Sequence, residues 1–426
     1  MILPENHNQR FELSNEVHAR PPEPLTSPVK LTCIALATDW AFRDSDREPV
    51  IELTKHFGAT PPGPGAKRYS VELGGFRLVW ERHTEFTAYT FIAPGDDGDP
   101  FTNPAISNAP ARWVQALPGK IIAAVHAALI DGEATKNDVA TISERHFSRN
   151  ALIGSEITGG AGAALTDFRL HADGFSRMLV YNRSMSRWHA GRIVQRLLEI
   201  ETYRVMSLLS LPVAQDLHPD LLAWESELAE ITSAMTDVVD ADEPELLERL
   251  TALQAAIEKN HARSQFRFNA GEAYYELVRR RNEELREERI IGMQTFGEFI
   301  ERRLAPAMST CQAASRRLNA LSAGVGRAAQ LLSTRVDMSL EKQNQAVLES
   351  MNKRAELQLR LQQTVEGLSV AAITYYVVGV IGYASGGLEQ LGFGVDPKLV
   401  MGLSAPLVFL LAALGVWQAR KRLRDK

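Results

Sequence analysis

Residues 368–388 read "LSVAAITYYVVGVIGYASGGL", a run of 21 residues without one charged side chain. A second uncharged run, "LVMGLSAPLVFLLAALGVW" at residues 399–417, follows after a ten-residue segment at 389–398. A helix needs about 20 residues to cross a hydrocarbon core of roughly 30 Å, so both runs are long enough. The sequence therefore predicts a C-terminal hairpin of two transmembrane helices joined by a short outward loop, rather than two buried core helices.

Basic residues are concentrated on one side of this hairpin. The tail at 418–426 contains five Lys and Arg residues, whereas the loop at 389–398 contains Lys398 as its one basic residue. By the positive-inside rule, the tail is expected to be cytoplasmic. Two spans return the chain to the side from which it started, so residues 1–367 are expected to be cytoplasmic as well. The N-terminal sequence lacks the pattern of a signal peptide, which agrees with this expectation.

Composition adds little about function. The chain has 426 residues, 45% of them apolar, and a net charge of only −5, so nothing favours binding to nucleic acid. Cys33 and Cys311 are far apart and show no CxxC spacing. They fit a reducing compartment better than a disulfide scaffold or a zinc site.

Residues 338–367 are predicted to form a stalk helix that runs directly into the first membrane span. Apolar residues recur at seven-residue spacing in a broken heptad repeat, namely Leu340, Val347, Leu361 and Leu368. A second series at the same spacing is partly polar and consists of Asn344, Met351, Gln358 and Val365. Polar residues in such a seam weaken a coiled coil but specify its register or oligomeric state. Because a long isolated helix is unstable in water, we expect this one to pack on other helices or on further copies of the chain.

The stalk is expected to belong to one or two very long helices, because no proline lies between Pro306 and Pro397. Residues 186–337 form a helical region with three amphipathic segments, at 188–214, 243–260 and 272–290. Pro212 is expected to end the first of these helices.

Residues 1–185 are predicted to form an α+β domain that precedes the helices. Strand patterns occur at 29–37, 69–83, 86–93, 120–130, 163–172 and 176–184. The last two are expected to form a hairpin that turns at Asp173-Gly174.

Two polar strips in this domain are candidate functional sites. In "LSNEVHARPPEPL" at 13–25 and "WERHTEF" at 80–86, acidic and basic side chains alternate, so an extended backbone would place each set on one face; the residues are Glu16, His18 and Arg20, and Glu81, His83 and Glu85. Acid–base catalysis or binding of an unknown metal are the chemical interpretations of these strips. A structural contact of the N-terminal arm and a solvated strand face with cross-strand charge pairs are favoured instead.

No familiar catalytic motif occurs elsewhere in the chain. HExxH, GxSxG and GxxxxGK[ST] are all missing from the sequence. Four histidines, namely His126, His146, His171 and His189, are scattered, and a structural hydrogen bond is favoured over a ligand role for each.

Several long motifs carry a resemblance to a known family. "NEVHARPPEPL", "ERHTEF", "DFRLHADGFSRMLVYN", "GRIVQRLLEIETYR" and the stretch at 334–379 together resemble bacterial membrane-anchored proteins grouped as domain of unknown function 3422. The resemblance covers essentially the whole chain. It implies a multi-pass protein of the bacterial inner membrane with both termini in the cytoplasm, and it implies no particular activity.

The predicted topology also resembles that of CorA-type magnesium channels. Those proteins are homopentamers in which the first span lines a pore, so the resemblance implies a homo-oligomer and an ion path; the candidate ion-path residues are Asn344, Gln358, Tyr383, Glu389 and Asp396. The Gly-Met-Asn tripeptide of those channels is replaced by Gly382-Tyr383-Ala384.

Three functions are therefore carried forward. The first is a homo-oligomeric ion channel or transporter for an unknown ion, with CorA-like architecture. The second is a membrane-anchored scaffold that binds a cytoplasmic protein partner without catalysis, and the third is an anchored enzyme that uses the His and carboxylate groups of the head. The expected partners are the lipid bilayer and further copies of the chain, and no cofactor is expected apart from a divalent cation in the channel case.

Overall fold

The computed structural model describes residues 5–16, 21–38, 45–96, 98–132, 139–237, 243–390, 394 and 396–424. The chain forms two compact units. The sheet unit consists of residues 1–236 and 248–329, and the stalk unit consists of residues 237–247 and 330–426.

A nine-stranded mixed sheet is the framework of the sheet unit. Its strand order is β2-β3-β4-β1-β5-β8-β7-β6-β9, and β5 and β8 are its one parallel pair. The strands are β1 (Val29–Ala37), β2 (Arg68–Leu73), β3 (Phe76–Arg82), β4 (Phe86–Pro94), β5 (Lys120–Asp131), β6 (Ile153–Ile157), β7 (Gly162–Thr166), β8 (Ser176–Asn182) and β9 (Glu288–Arg289). The six strand patterns found in the sequence all correspond to strands, whereas β6 and the two-residue β9 were missed.

The helices lie before, between and after these strands. They are α1 (Arg10–Glu16), α2 (Glu48–His56), α3 (Ala111–Gln115), α4 (Val139–His146), α5 (Arg187–Leu208), α6 (Ser210–Asp237), α7 (Glu243–Glu284), α8 (Phe296–Arg303), α9 (Ala305–Gln390) and α10 (Pro397–Arg424). A short 3-10 helix covers Ala105–Asn108. The prediction of an α+β sheet domain followed by long helices is confirmed.

Strand β1 shows why the sheet has two buried faces. Leu31, Cys33 and Ala35 belong to one hydrophobic core, while Ile34 and Leu36 belong to another on the opposite face. Because side chains alternate along a strand, a continuous apolar run such as "VKLTCIALA" supplies both faces at once. The run therefore specifies a central strand covered on both sides.

Different helices cover the two faces. Helix α5 packs on one face through residues such as Ile193 and Leu197, and α7, α8 and the start of α9 add to the same core. The opposite face is closed by α2, through Val50 and Leu53, and by Trp113 of α3. Both thiols are free and buried, and burial raises the pKa of Cys33 to about 11, so this cysteine is an inert core residue.

Two predicted helix boundaries are wrong. Helix α5 ends at Leu208, so Pro212 does not end it but lies in the first turn of α6. Proline is tolerated there because the first backbone N–H groups of a helix have no intrahelical partner. The segments at 243–260 and 272–290 are joined in one helix, α7, which ends at Glu284.

The N-terminal arm also differs from expectation. Residues 13–16 are helical as part of α1 rather than extended, so the alternation that was expected to align Glu16 with its neighbours does not apply there. His18 and Arg20 lie outside the described residues. The arm is described again from Pro21, where the chain crosses α5.

The crossing of the arm over α5 depends on a glycine. A Cβ built at Gly191 would overlap the carbonyl oxygen of Glu23 and would lie 3.0 Å from its carbonyl carbon. Nearby, the backbone N–H of Leu25 donates to the carbonyl of Arg187 at 2.9 Å. The arm thus contacts the helix backbone directly, and any larger residue at 191 would separate them.

The stalk unit contains the last part of α9, all of α10 and residues 237–247. The apolar segments of α9 and α10 approach each other at Gly382, where an added Cβ would lie 2.9 Å from Met401 Cγ. Gly379, Gly386 and Gly387, which share the same spacing pattern, have no neighbouring atom within 4 Å of such a Cβ. Of these four glycines, Gly382 is the one at which close approach requires a missing side chain.

We predict that Gly191→Ala destabilises the protein by about 1–3 kcal/mol, because the added methyl group would displace the arm from α5. Gly326→Ala is a matched control, since the added Cβ would meet its nearest atom, Gln254 Oε1, at 4.0 Å. Alanine in that helix position should be neutral or stabilising by up to about 1 kcal/mol. Urea unfolding of both variants measures the difference, and equal stability of the two would contradict the crossing.

Candidate functional site

The ion-path candidates lie in the stalk unit, and several of them are on the helix surface. Asn344 and Gln358 are exposed on α9, and Tyr383 is 87% exposed. Glu389 lies in the last turn of α9, and its side chain is outside the described part of the structure. No ion path is formed by these residues within one described chain, so their role in conduction stays a prediction.

Asp396 has a local structural role. Its Oδ1 accepts a hydrogen bond from the backbone N–H of Lys398 at 2.9 Å, and its carbonyl accepts from Val400 N. This is the geometry of a helix N-cap, with Pro397 at the first helical position. The Asp-Pro pair in the sequence was a signal for this cap.

The side chains of the second polar strip, Glu81, His83 and Glu85, contact different parts of the protein. Glu81 is in β3 and accepts from Arg68 Nε at 3.2 Å. His83 and Glu85 lie in the turn between β3 and β4, so the expectation that all three share one strand face is wrong. Glu85 pairs with Arg267 of α7 at 2.6 Å, and the ring of His83 stacks on Phe86 with centroids 4.2 Å apart. Each side chain joins separate elements instead of converging on a ligand.

A charge network beneath the arm was missed in the sequence. Glu23 bridges Arg68 and Arg77, with its Oε2 3.1 Å from Arg77 Nη1. Arg68 also donates to the carbonyl of Pro21 at 2.9 Å and pairs with Glu81, so it connects the arm to the β2–β3 hairpin. Residues 45 positions apart along the chain meet here, and no local spacing could have indicated the contact. The arm after "EVHAR" is therefore held by ion pairs as well as by α5.

A hydroxyl, an imidazole and a carboxylate lie in a row in the sheet unit, with the first two groups buried and the carboxylate partly exposed. Thr32 Oγ1 lies 2.9 Å from His126 Nδ1, and His126 Nε2 lies 3.9 Å from Asp173 Oδ2. These residue types form nucleophile, base and orienting group in many hydrolases. Here Thr32 is fully buried, and the His126 ring is covered by Phe175 at a centroid distance of 3.9 Å. A substrate cannot reach the hydroxyl, so the arrangement has a structural role.

Two further histidines form separate pairs with aspartates. His146 Nδ1 lies 3.3 Å from Asp99 Oδ1, and His171 Nε2 lies 3.0 Å from Asp167 Oδ2. The ring of His146 contacts Phe101, and the ring of His171 contacts Phe147. Within the described ranges, no group of three or more His, Cys, Asp or Glu side chains is arranged to hold a metal ion.

The most distinctive surface in the described chain is on α9. Every residue from 341 to 365 is exposed. The apolar members of the predicted seam share this exposure, for example Leu361 at 69% and Leu368 at 75%; the others are Leu340, Val347, Met351 and Val365. Between them, polar pairs such as Lys353 with Glu349, at 3.1 Å, occupy another side of the helix.

The apolar surface continues into the C-terminal helices. The last part of α9 and the helix beginning at Pro397 are both long and apolar enough to cross a membrane. In their most apolar stretches, none of the residues of α9 and 6% of those of α10 are buried within the protein. A core helix of a soluble protein would have most of this surface covered.

Sequence comparison places the chain in a family. The model of the family described as protein of unknown function (DUF3422) matches residues 5–423, which is almost the whole chain. The chain therefore belongs to this family, as the motifs in the arm, the sheet and the stalk indicated. No curated protein matches the chain in a sequence comparison.

We predict that the buried His126 makes the stability of the protein depend on pH. Burial lowers the pKa of His126 to about 4, below its ordinary value near 6.5. The unfolded chain thus binds a proton that the folded protein does not bind between these pH values. The contribution of His126 to the free energy of unfolding is complete above pH 6.5. It falls as the pH drops toward 4, by up to about 1.4 kcal/mol per pH unit.

Replacement of the imidazole tests this assignment. His126→Asn retains an acceptor for the Thr32 hydroxyl but cannot titrate, so the slope of unfolding free energy against pH should become smaller. His56→Asn, at an exposed position on α2, is the control for the loss of a histidine outside the core. Urea unfolding at several pH values between 4 and 7 gives the slopes. An identical slope in the wild type and His126→Asn would refute the assignment.

Proposed function

We propose that this protein is a membrane-anchored scaffold that self-associates through its stalk and holds the sheet unit at the cytoplasmic face of the inner membrane. The supporting observation is the exposed apolar surface of the stalk, of the last part of α9 and of α10 as far as Trp417. In the sheet unit, by contrast, large apolar side chains such as Trp80 and Phe91 are fully buried.

The argument for a membrane rests on the cost of exposed apolar surface. Removing one large aliphatic side chain from water is favourable by about 1.5–3 kcal/mol of free energy. Helix α10 alone leaves many such side chains uncovered, namely Leu399, Leu403, Leu407, Leu410, Leu411 and Leu414. A bilayer covers them without a protein partner, and the backbone hydrogen bonds of each helix are already satisfied internally. Trp417 and the basic residues that follow it fit the cytoplasmic interface.

We predict that residue 398 faces outward and residue 363 faces the cytoplasm. Lys398→Cys should react with a membrane-impermeant maleimide in intact right-side-out vesicles, whereas Gln363→Cys should react only after lysis. Because Cys33 and Cys311 are buried, the native thiols should contribute little background. Labelling of Gln363→Cys before lysis would contradict the proposed topology.

The argument for self-association rests on the seam of the stalk. Its apolar residues recur with the heptad spacing that two or more parallel copies bury between them. All copies of one anchored chain present this seam in the same direction relative to the membrane, which favours parallel pairing. Asn344 and Gln358 at seam positions would then match across copies and select one register.

We predict that Leu361→Lys shifts the purified protein toward monomer by about tenfold or more, since burying an unpaired charge in the seam costs several kcal/mol. Gln363→Lys introduces the same charge two residues away on another side of the helix and should assemble like the wild type. Light scattering in detergent measures the mass of each variant.

The same sample distinguishes the competing functions. A wild-type protein that is monomeric both in detergent and after cross-linking in membranes would refute the scaffold proposal. A closed ring that carries cations into liposomes, with less flux after Glu389→Ala and Asp396→Ala, would establish the ion-channel hypothesis instead.

A further inference from the structure

A cleft in the sheet unit has an unusual concentration of arginines. It has a volume of about 540 Å³ and is formed by the first turns of α5, the end of α7 and the β6–β7 turn. Its lining residues are Thr158, His189, Arg192, Arg196, Arg280, Glu283, Glu284 and Arg286. The volume lies in the range of small-molecule sites in proteins.

Positive charge exceeds negative charge in this cleft. Four guanidinium groups face two carboxylates, and one carboxylate is already engaged, because Glu284 lies 2.8 Å from Arg196 and 3.0 Å from Arg281. Arg192, Arg280 and Arg286 have no hydrogen bond or ion pair of their side chains within the residues that the structure describes. Three cations without ion pairs thus share one concave surface with a single unengaged carboxylate, that of Glu283.

The electrostatic effect of these arginines is visible at a neighbouring side chain. The pKa of His189 is lowered, first by its partial burial and then by Arg192, Arg196 and Arg286. A cationic form of this histidine is disfavoured because the surroundings are already positive. An anion in the cleft would relieve the same repulsion.

Thr158 provides an independent observation. Its Oγ1 is buried and has no hydrogen-bond partner among the described residues, although its residue lines the cleft. A buried hydroxyl without a partner costs free energy, and a rotation of this partly exposed side chain that turned Oγ1 toward the cleft would let a ligand acceptor recover it. The residue has φ of 56°, a conformation that β-branched residues rarely adopt, and its N–H donates to the carbonyl of Leu285 at 2.9 Å. The backbone therefore holds Thr158 at the cleft at a local cost.

A purely structural role explains only part of this arrangement. Arg280 lies near the C-terminus of α7, where a cation interacts favourably with the helix dipole. This does not apply to Arg192, which lies in the second turn of α5, close to the positive end of that helix. The helix dipole therefore gives Arg192 no stabilisation of the kind that it gives Arg280.

The chemistry of the side chains specifies the anion. The basic side chains are arginines rather than lysines, and the planar guanidinium fork matches two oxygens of a phosphate. A hydroxyl donor completes such a site. We propose that this cleft binds the phosphate group of a small phosphorylated molecule, supplied either in solution or as the headgroup of a phospholipid. The inference does not depend on the proposed scaffold function, since the cleft lies within the sheet unit.

Calorimetry on the full chain in neutral-lipid nanodiscs tests the proposal, with pyrophosphate and soluble dihexanoyl phosphatidylglycerol as separate probes. Arg192→Gln and Arg280→Gln should each weaken binding by about tenfold or more, because each removes a charge-assisted contact. Thr158→Val should cause a loss of about the same size. Arg279→Gln is the matched control, because Arg279 pairs with Glu276 outside the cleft and should leave binding unchanged.

Each result has a defined meaning once thermal unfolding shows that the variants are folded. Tighter binding of pyrophosphate supports a soluble phosphate ligand, and tighter binding of the short-chain lipid supports a headgroup. Two results would overturn the proposal. One is that neither probe binds the wild type at physiological salt. The other is that Arg279→Gln weakens binding as much as Arg192→Gln does.

Discussion

Helix α9 carries two apolar surfaces on one continuous backbone, and both must be removed from water. Near its start, Met308, Cys311 and Leu318 are buried in the sheet unit. Every residue of the same helix from 341 to 365 is exposed, and the apolar segment that follows is covered by protein at only a few positions, such as Gly382 against Met401. The backbone is satisfied throughout because the helix bonds are local, so the side chains alone decide what each part must contact. In the proposed function, a bilayer covers the apolar segments and a second copy of the chain covers the stalk.

Charged side chains in the sheet unit differ in whether they have a partner. Half-buried charges in the sheet unit are matched over long separations, as Glu23 is with Arg68 and Glu85 is with Arg267. Unmatched charges in such positions are costly, so pairing is the expected outcome of folding. Arg192 and Arg280 line the arginine cleft at exposed positions and have no partner in the described chain, so water solvates these charges when no anion is bound.

The buried histidines show why residue type alone is a poor guide to catalysis. Thr32, His126 and Asp173 have the identities of a catalytic triad and lie close together. The hydroxyl is nevertheless sealed in the core, and burial keeps the imidazole neutral by lowering its pKa. Access decides the role, and access depends on how Phe175 stacks on the ring.

Local periodicity and length in the sequence specify the α+β class, six strand segments, the helical stretch between Pro306 and Pro397 and the two apolar segments, although one or two helices were both compatible with that stretch. Which side chains meet depends on the tertiary structure. Glu81, His83 and Glu85 are near neighbours in sequence, yet a turn directs them to different partners. Thr158 and Arg280 are more than a hundred residues apart, yet they line one cleft. Contacts of this kind depend on strand order and helix packing, which short-range patterns do not encode.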